Sequence, residues 1–210
     1  PENYRRFYVT RMDISETAEA MMGFRMFRYL KAGLGIARSH KKASYEYVFQ
    51  HSQDDPYVLT SDHTFGKLVA GIKFAWGEKF IRSSEKQASL GTRFPVMWIQ
   101  YTGGRKGLLD GQFNYDRFDL KLTYSFITRL IGKTSIQLAG GLINHAAPCS
   151  EMFNGQGSRA STISVFSPGS FATMRTDEFL NDKFGAIFLT HNFGNLLFRS
   201  ENFEPEFAVV

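Results

Sequence analysis

Five histidines, at positions 40, 51, 63, 145 and 191, are the first residues to ask for chemistry. No two of them have His-Glu-x-x-His spacing or any other ligand spacing a zinc ion uses. They read as ordinary polar positions. His191 and Ser125 form the one Ser–His combination that a membrane hydrolase could place on a shared wall, but the chain has no Gly-x-Ser-x-Gly elbow. Gly155-Gln156-Gly157-Ser158 lacks the Lys-Ser/Thr ending of a phosphate cradle and reads as a surface loop. Asp54-Asp55-Pro56 and the pair Asp177 and Glu178 fall short of the roughly six to eight oxygens calcium takes, so they read as solvated charge. Arg175 stands at the end of the longest loop, just before a strand. An arginine there can fold back and pair with carboxylates on a wall, fixing the loop, or it can stand at a rim bound to lipid phosphate or to nothing. The lone Cys149 permits no internal disulfide and no zinc site built from cysteines. On this reading there is no catalytic residue, no metal and no cofactor.

The elements that would carry these residues are set by a side-chain period of two. From Phe113 to Phe126, Phe118, Leu120, Leu122, Tyr124 and Phe126 share one parity, and Arg117, Asp119, Lys121, Thr123 and Ser125 share the other. Such alternation is an extended strand with one oily and one wet face. Its length exceeds the usual 5–6 residues of a soluble strand and suits the roughly 9–11 of a membrane-spanning one. Thr64–Gly77 repeats the pattern, with Leu68, Ala70, Ile72, Phe74 and Trp76 against Lys67, Gly71 and Lys73. Thr134–Asn144 sets Ile136, Leu138 and Leu142 against Lys133, Ser135 and Gln137. Phe24–Ile36 and Ala43–Phe49 alternate likewise, with Arg28 as a blemish on the oily side of the first. Leu90–Tyr101 and Phe184–Phe193 are apolar on both faces, Arg5–Met12 is a weaker strand, and Phe207 onward begins another. That makes about eight strands and the start of a ninth.

Short connections around Ser39–Lys42, Ser83–Lys86, Thr128–Gly132 and Ser200–Asn202 alternate with longer ones at Asp13–Gly23, His51–Asp62, Gly103–Gly111 and His145–Asn181. Tight turns at one end and long loops at the other are the layout of an outer-membrane barrel. Composition agrees: 21 Phe, 9 Tyr and 19 Gly against 6 Pro suit strands and tight turns better than a helical bundle. Tyr45, Tyr47, Trp76 and Trp98 suit aromatic girdles. A net charge of +5 without a basic run argues against nucleic acid as a partner. No stretch has the makings of a transmembrane helix, and the opening Pro1-Glu2-Asn3-Tyr4-Arg5-Arg6 is not a signal peptide, so the expectation is a fragment or a processed product.

Several segments resemble one family: Phe74-Ala75-Trp76-Gly77-Glu78-Lys79-Phe80; Ser89 through Val96 on to Gln100-Tyr101-Thr102 and Lys106-Gly107-Leu108-Leu109; Thr173-Met174-Arg175 through Glu178-Phe179-Leu180-Asn181-Asp182-Lys183 to Leu189-Thr190-His191-Asn192-Phe193; and Phe203-Glu204-Pro205-Glu206-Phe207. Together they look like the barrel portion of uncharacterised outer-membrane proteins of Gram-negative bacteria that carry an N-terminal carboxypeptidase-regulatory-like domain. That barrel is similar to the outer-membrane assembly superfamily of the BamA and TamA type. The resemblance implies that residues 1–210 are the middle portion of an antiparallel transmembrane β-barrel of about sixteen strands. The regulatory-like domain and first strands would lie upstream and the last strands downstream. In that superfamily a lumenal loop carries Val-Arg-Gly-Phe/Tyr, and Met174-Arg175-Thr176 occupies a similar place, with Thr176 where the glycine would be.

The expectation is therefore a non-enzymatic outer-membrane barrel acting in membrane biogenesis or protein assembly and translocation. Lys67, Lys73, Arg117, Asp119 and Lys121 would face the lumen, where Arg175, Asp177 and Glu178 belong to an inserted loop. Leu68, Ile72, Phe74, Trp76, Phe118, Leu120, Leu122, Phe126, Ile136, Leu138 and Leu142 would face lipid. Partners would be outer-membrane lipid and lipopolysaccharide, with other assembly proteins or client barrels. The alternatives are a passive or gated channel whose cationic lumen favours anionic solutes, a membrane enzyme, and a soluble sandwich or lipocalin-like binder.

Overall fold

A computed structural model of the chain describes residues 14–49, 58–82, 87–129, 131–145, 147–160, 163–164, 169–175, 178–194 and 207–209. Within them the chain is all-β. Eight strands form one antiparallel sheet in chain order: β1 Ile14–Phe27, β2 Leu30–Phe49, β3 Val58–Ala75, β4 Val96–Gly104, β5 Tyr115–Thr128, β6 Gly132–Asn144, β7 Lys183–Gly194 and β8 Phe207–Val209. Among the described residues no helix is long and apolar enough to cross a membrane.

Register explains the two faces. On one, Phe24, Ala32, Ile72, Ile99, Leu120 and Gly140 stand in a single row across six strands, and Leu30, Phe74, Met97, Leu122, Leu138 and Ile187 form another. Among the described residues the belt of this face is uncovered, with Leu34 56% exposed, Leu120 47% and Ile187 71%, and only at its rim does the 105–111 connection pack on it, against Gly66 and Arg38. The opposite face is polar by sequence, yet the buried core lies there. Phe65 from β3, Tyr115 from β5 and Ile143 from β6 pack with Phe113, Ala147 and Phe153 from the connecting loops. Glycines make room for these rings. A Cβ at Gly104 would run into the Tyr115 ring, and one at Gly141 into the Phe153 ring.

Three parts differ from the sequence reading. Asp13–Gly23, expected as a loop, belongs to β1 from Ile14 onward, and Phe24–Ile36 is a hairpin rather than one strand, turning at Arg28–Tyr29. Arg28 is then an exposed turn residue and no blemish on a strand. Ser39–Lys42, expected as a turn, lies inside the 20-residue β2, where both parities are polar. Leu90–Tyr101 is broken at Gly91, whose φ of 82° ends a small separate hairpin, Lys79–Arg82 with Gln87–Gly91, before β4 begins at Val96. The connection between β3 and β4 is therefore long although it lies at the same end as the turns 28–29 and 129–131, so strict alternation of short and long connections fails there. Arg5–Met12 and most of the 51–62 connection lie outside the described residues.

Gly104→Ala should displace the Tyr115 ring and cost about 1–3 kcal/mol. Gly71→Ala, where a Cβ would meet only the Ile99 carbonyl at 3.9 Å, should leave stability nearly unchanged. Denaturant midpoints of the two variants provide the comparison.

Candidate functional site

The polar face of β2, β3 and β5 carries Lys41, Lys67 and Arg117, and a single carboxylate gathers them. Residues 145–182 connect β6 to β7. Near their start Pro148 leads into a one-turn 3-10 helix, Cys149–Glu151, closed by the Glu151 N–H donating to the Pro148 carbonyl at 2.9 Å. That turn drives Glu151 onto the wall, where it is 4% exposed. The ammonium groups of Lys41 and Lys67 each lie 2.7 Å from its Oε1, and the Tyr115 hydroxyl donates to Oε2 at 2.9 Å. Arg117 donates to the Glu151 backbone carbonyl at 3.0 Å, and Lys41 donates to the Ser150 carbonyl at 2.6 Å. Burial alone would raise the Glu151 pKa. The charges and hydrogen bonds of Lys67 and Lys41 outweigh it and hold the carboxyl below its ordinary value of 4.5.

Arg117 also grips Asp119 with two bonds of 3.0 Å and lies 4.2 Å above the Phe153 ring. Phe153 stacks in turn on Phe184 of β7 at 4.7 Å, and Phe153–Asn154 pairs with Leu180–Asn181. The beginning and end of the long connection are thus tied together on the polar face.

A second insertion docks toward the other end of the same face. Glu78, just before the small hairpin, is 4% exposed and accepts bonds from Lys73 at 3.0 Å and from the Ser89 hydroxyl at 2.6 Å. Burial pushes its pKa up, but Ser89 and Lys73 bring it below the ordinary range. Phe80 lies 4.6 Å under the Arg25 guanidinium and 5.5 Å from the Lys31 ammonium. Lys121 and Lys73 flank Trp98 at 5.9 and 5.7 Å, so Trp98 stands on the polar face and not in an outward girdle.

All five residues expected on the wet parity, Lys67, Lys73, Arg117, Asp119 and Lys121, share this face by register. Leu68, Ile72, Phe118, Leu120, Phe126, Leu138 and Leu142 are exposed on the other face, with Phe74, Leu122 and Ile136 half-buried beside them and Trp76 in the turn after β3, stacked on Tyr29 at 4.8 Å. Arg175 ends the short strand Phe171–Arg175 and is exposed; its backbone N–H donates to the Glu178 carboxylate at 2.9 Å. Asp177 and Thr176 lie outside the described residues, as do Asp54 and Asp55. Gly157 pairs with Phe171 in a parallel strand contact.

The Ser–His combination is not assembled. Ser125 faces Ser135 across the polar side at 2.8 Å, whereas His191 stands on the opposite face beside Thr134 at 2.9 Å. His63 is buried against Phe113 at 5.3 Å, and His145 lies 3.7 Å from Asp116. Among the described residues no three His, Cys, Asp or Glu side chains are grouped to hold a metal. The reading of the residues missed Glu151 altogether.

A model described as "Family of unknown function (DUF5686) C-terminal domain" matches residues 37–200. No curated protein matches the chain.

Glu151 supplies a pH prediction. Its folded pKa is depressed, so the docking it contributes is fully present above the unfolded carboxylate pKa and is lost as pH falls through the folded one. Hydrogen exchange across residues 147–154 should stay protected at neutral pH and open only below about pH 4.5. Glu151→Gln should weaken docking by about 2 kcal/mol and abolish that acid dependence. Unchanged protection in the variant would contradict the assignment.

Proposed function

We propose that this chain, which belongs to the family of unknown function DUF5686 as its C-terminal domain, forms part of the wall of an outer-membrane β-barrel with a plugged aqueous interior. One observation carries the reading: among the described residues the oily belt of the eight-stranded sheet is uncovered, while the charged side holds the core and the docked acids. Water is a poor medium for so large an apolar patch. Hydrocarbon suits it, because antiparallel pairing satisfies the backbone polar groups from strand to strand.

The dimensions support this. Phe118 to Phe126 covers eight steps of about 3.4 Å, or about 27 Å before tilt, against an apolar band of roughly 25 Å in such barrels. Polar rims bound the band. At the end with the long loops, Arg38 donates to Asp110 at 3.2 Å, and Arg105 binds Asp116 at 2.7 Å with the Tyr101 hydroxyl beside it. Arg28, Tyr29 and Trp76 mark the other end.

The activity we propose is non-enzymatic. In a barrel of about sixteen strands, similar to the BamA and TamA type, strand pairing at an exposed edge can assist outer-membrane biogenesis or protein assembly without a catalytic side chain. Outer-membrane lipid and lipopolysaccharide would contact the belt, and client barrels or other assembly proteins would meet the edge. In place of the arginine expected from the loop, Glu151 would fasten the loop inside the lumen, with the signs of charge exchanged. A second reading, a channel favouring small anions, is supported by the surplus of lysine on the inner face. Anion-selective single-channel conductance that rises in Glu151→Gln would favour it over a permanently plugged barrel.

The membrane reading is tested by comparing Leu120→Arg with Thr123→Arg in protein refolded into bilayers. The first should cost about 2–4 kcal/mol near the midplane, and the second much less. Equal penalties would refute the assignment of faces. A soluble protein would instead show near-neutral effects at the exposed Leu120.

A further inference from the structure

The connection from β4 to β5 leaves the wall on the oily side. Its two ends run beside β3 beyond the end of β4, where the Arg105 N–H donates to the Gly66 carbonyl at 2.9 Å and the Gln112 N–H to the Thr64 carbonyl at 3.0 Å. Gly66 has the parity of Leu68 and Ile72, and a Cβ there would run into the Leu108 carbonyl. The middle of the connection therefore crosses in front of Gly66, on the face that carries the belt.

Three left-handed residues shape this segment: Gly107 has a φ of 84°, Leu109 of 47° and Asp110 of 64°. Glycine adopts such a backbone freely and aspartate tolerates it, but leucine does so rarely. The Gly107 and Gly111 N–H groups close the loop on the Gly111 and Leu108 carbonyls at 2.8 and 2.7 Å. Arg38 clamps it from β2, donating to the Leu109 carbonyl and to the Asp110 carboxylate, each at 3.2 Å. Leu109 is exposed and takes no part in the buried cluster. A single exposed leucine is ordinary; one held in a strained backbone by a clamp from another strand asks for a role. Arg38 shares the parity of Ile36 and stands two residues beyond it, about 7 Å along β2. Leu109 is thus fixed just past the end of the belt, where Ile36 and Leu68 are exposed on the same face.

We propose that the 105–111 connection is an interfacial lipid anchor. Leu109 enters the boundary between headgroups and acyl chains in the leaflet at the long-loop end, with the Arg38–Asp110 pair at headgroup level. Continuity with the belt selects lipid as the occupant, since the segment and Leu68 lie on one face of the sheet. Its depth past Ile36 suits the roughly 5–10 Å over which amphipathic segments sink their apolar side chains at a membrane surface. The two guanidinium groups at this rim already have carboxylate partners, Arg38 with Asp110 and Arg105 with Asp116, so the contact is made by the apolar side chain rather than by a search for phosphate. The anchor rests on the membrane reading of the belt and adds a lipid contact to it.

Leu109→Cys, Lys106→Cys and Leu120→Cys are made singly in the full chain carrying Cys149→Ser, labelled with a nitrobenzoxadiazole fluorophore and refolded into phosphatidylcholine bilayers. Lipids bearing a nitroxide near the headgroup or deep in the acyl chain then quench each label in turn. The label at 109 should be quenched more by the shallow nitroxide and the label at 120 more by the deep one. The label at 106, a charged and exposed position of the same connection, should be quenched less than that at 109 by either. Arg38→Gln removes the clamp and should abolish the shallow quenching at 109 while leaving 120 unchanged. Quenching at 109 no stronger than at 106, or unaltered by Arg38→Gln, overturns the anchor even where deep quenching at 120 upholds the wall. Absence of quenching at 120 refutes the belt reading itself, so the two failures are distinguishable.

Discussion

The structure depends on one constraint: an antiparallel sheet sends its side chains alternately to two faces, and among the described residues the buried core and the docked acids lie on only one of them. Strand pairing satisfies the backbone of the interior strands, so whatever covers the apolar face need supply no hydrogen bonds to it. The row through Ile72, Ile99 and Leu120 is continuous because register, once set, places every second residue of each strand on the same side. A slip of one residue in β5 would carry Lys121 to the oily face and Leu120 to the charged one.

The polar side meets the opposite problem, a wall with more lysine and arginine than its own acids can balance. The loops supply what is missing. Glu151 and Glu78 are both almost wholly buried, both arrive from connections rather than strands, and both are bound by wall lysines. Aromatic rings complete each contact: Phe153 under Arg117, Phe80 under Arg25 and Lys31. Such buried pairs add less stability than their short distances suggest, because desolvation offsets much of the attraction. Their consequence is specificity of placement, since an undocked loop would leave Lys67 beside the aromatic core without a counter-charge.

The strands from β5 to β6 were legible because Phe118–Phe126 and Ile136–Leu142 alternate without interruption. The β1–β2 hairpin was not, for a reason that lies in the period itself. Phe27 pairs with Leu30 around a two-residue turn, which alone would switch the parity, but a bulge between Arg25 and Phe27 restores it, so Phe24 opposes Ala32 and the alternation runs straight through the reversal. Ser39–Lys42 misled in the other direction: both parities are polar there because β2 extends past the apolar belt, and a polar run imitates a turn. Arg175 drew attention as the charge next to a strand, but the buried anchor is Glu151, which lies 84 residues from Lys67 in sequence. Local spacing carries no trace of such a contact. The usable signal was the surplus of lysine on the wet parity, which required a carboxylate from a long connection.

The most direct measurement is the environment of each residue from Phe118 to Phe126 in turn. Single cysteines are introduced along this segment in a Cys149→Ser background, spin-labelled, and reconstituted in bilayers. Accessibility to oxygen and to a water-soluble nickel chelate is then read at every position. The account predicts a period of two, with oxygen maxima at 118, 120, 122, 124 and 126 and chelate maxima, or loop-shielded minima, between them. Chelate access at the even positions, or burial of both parities alike, would contradict it.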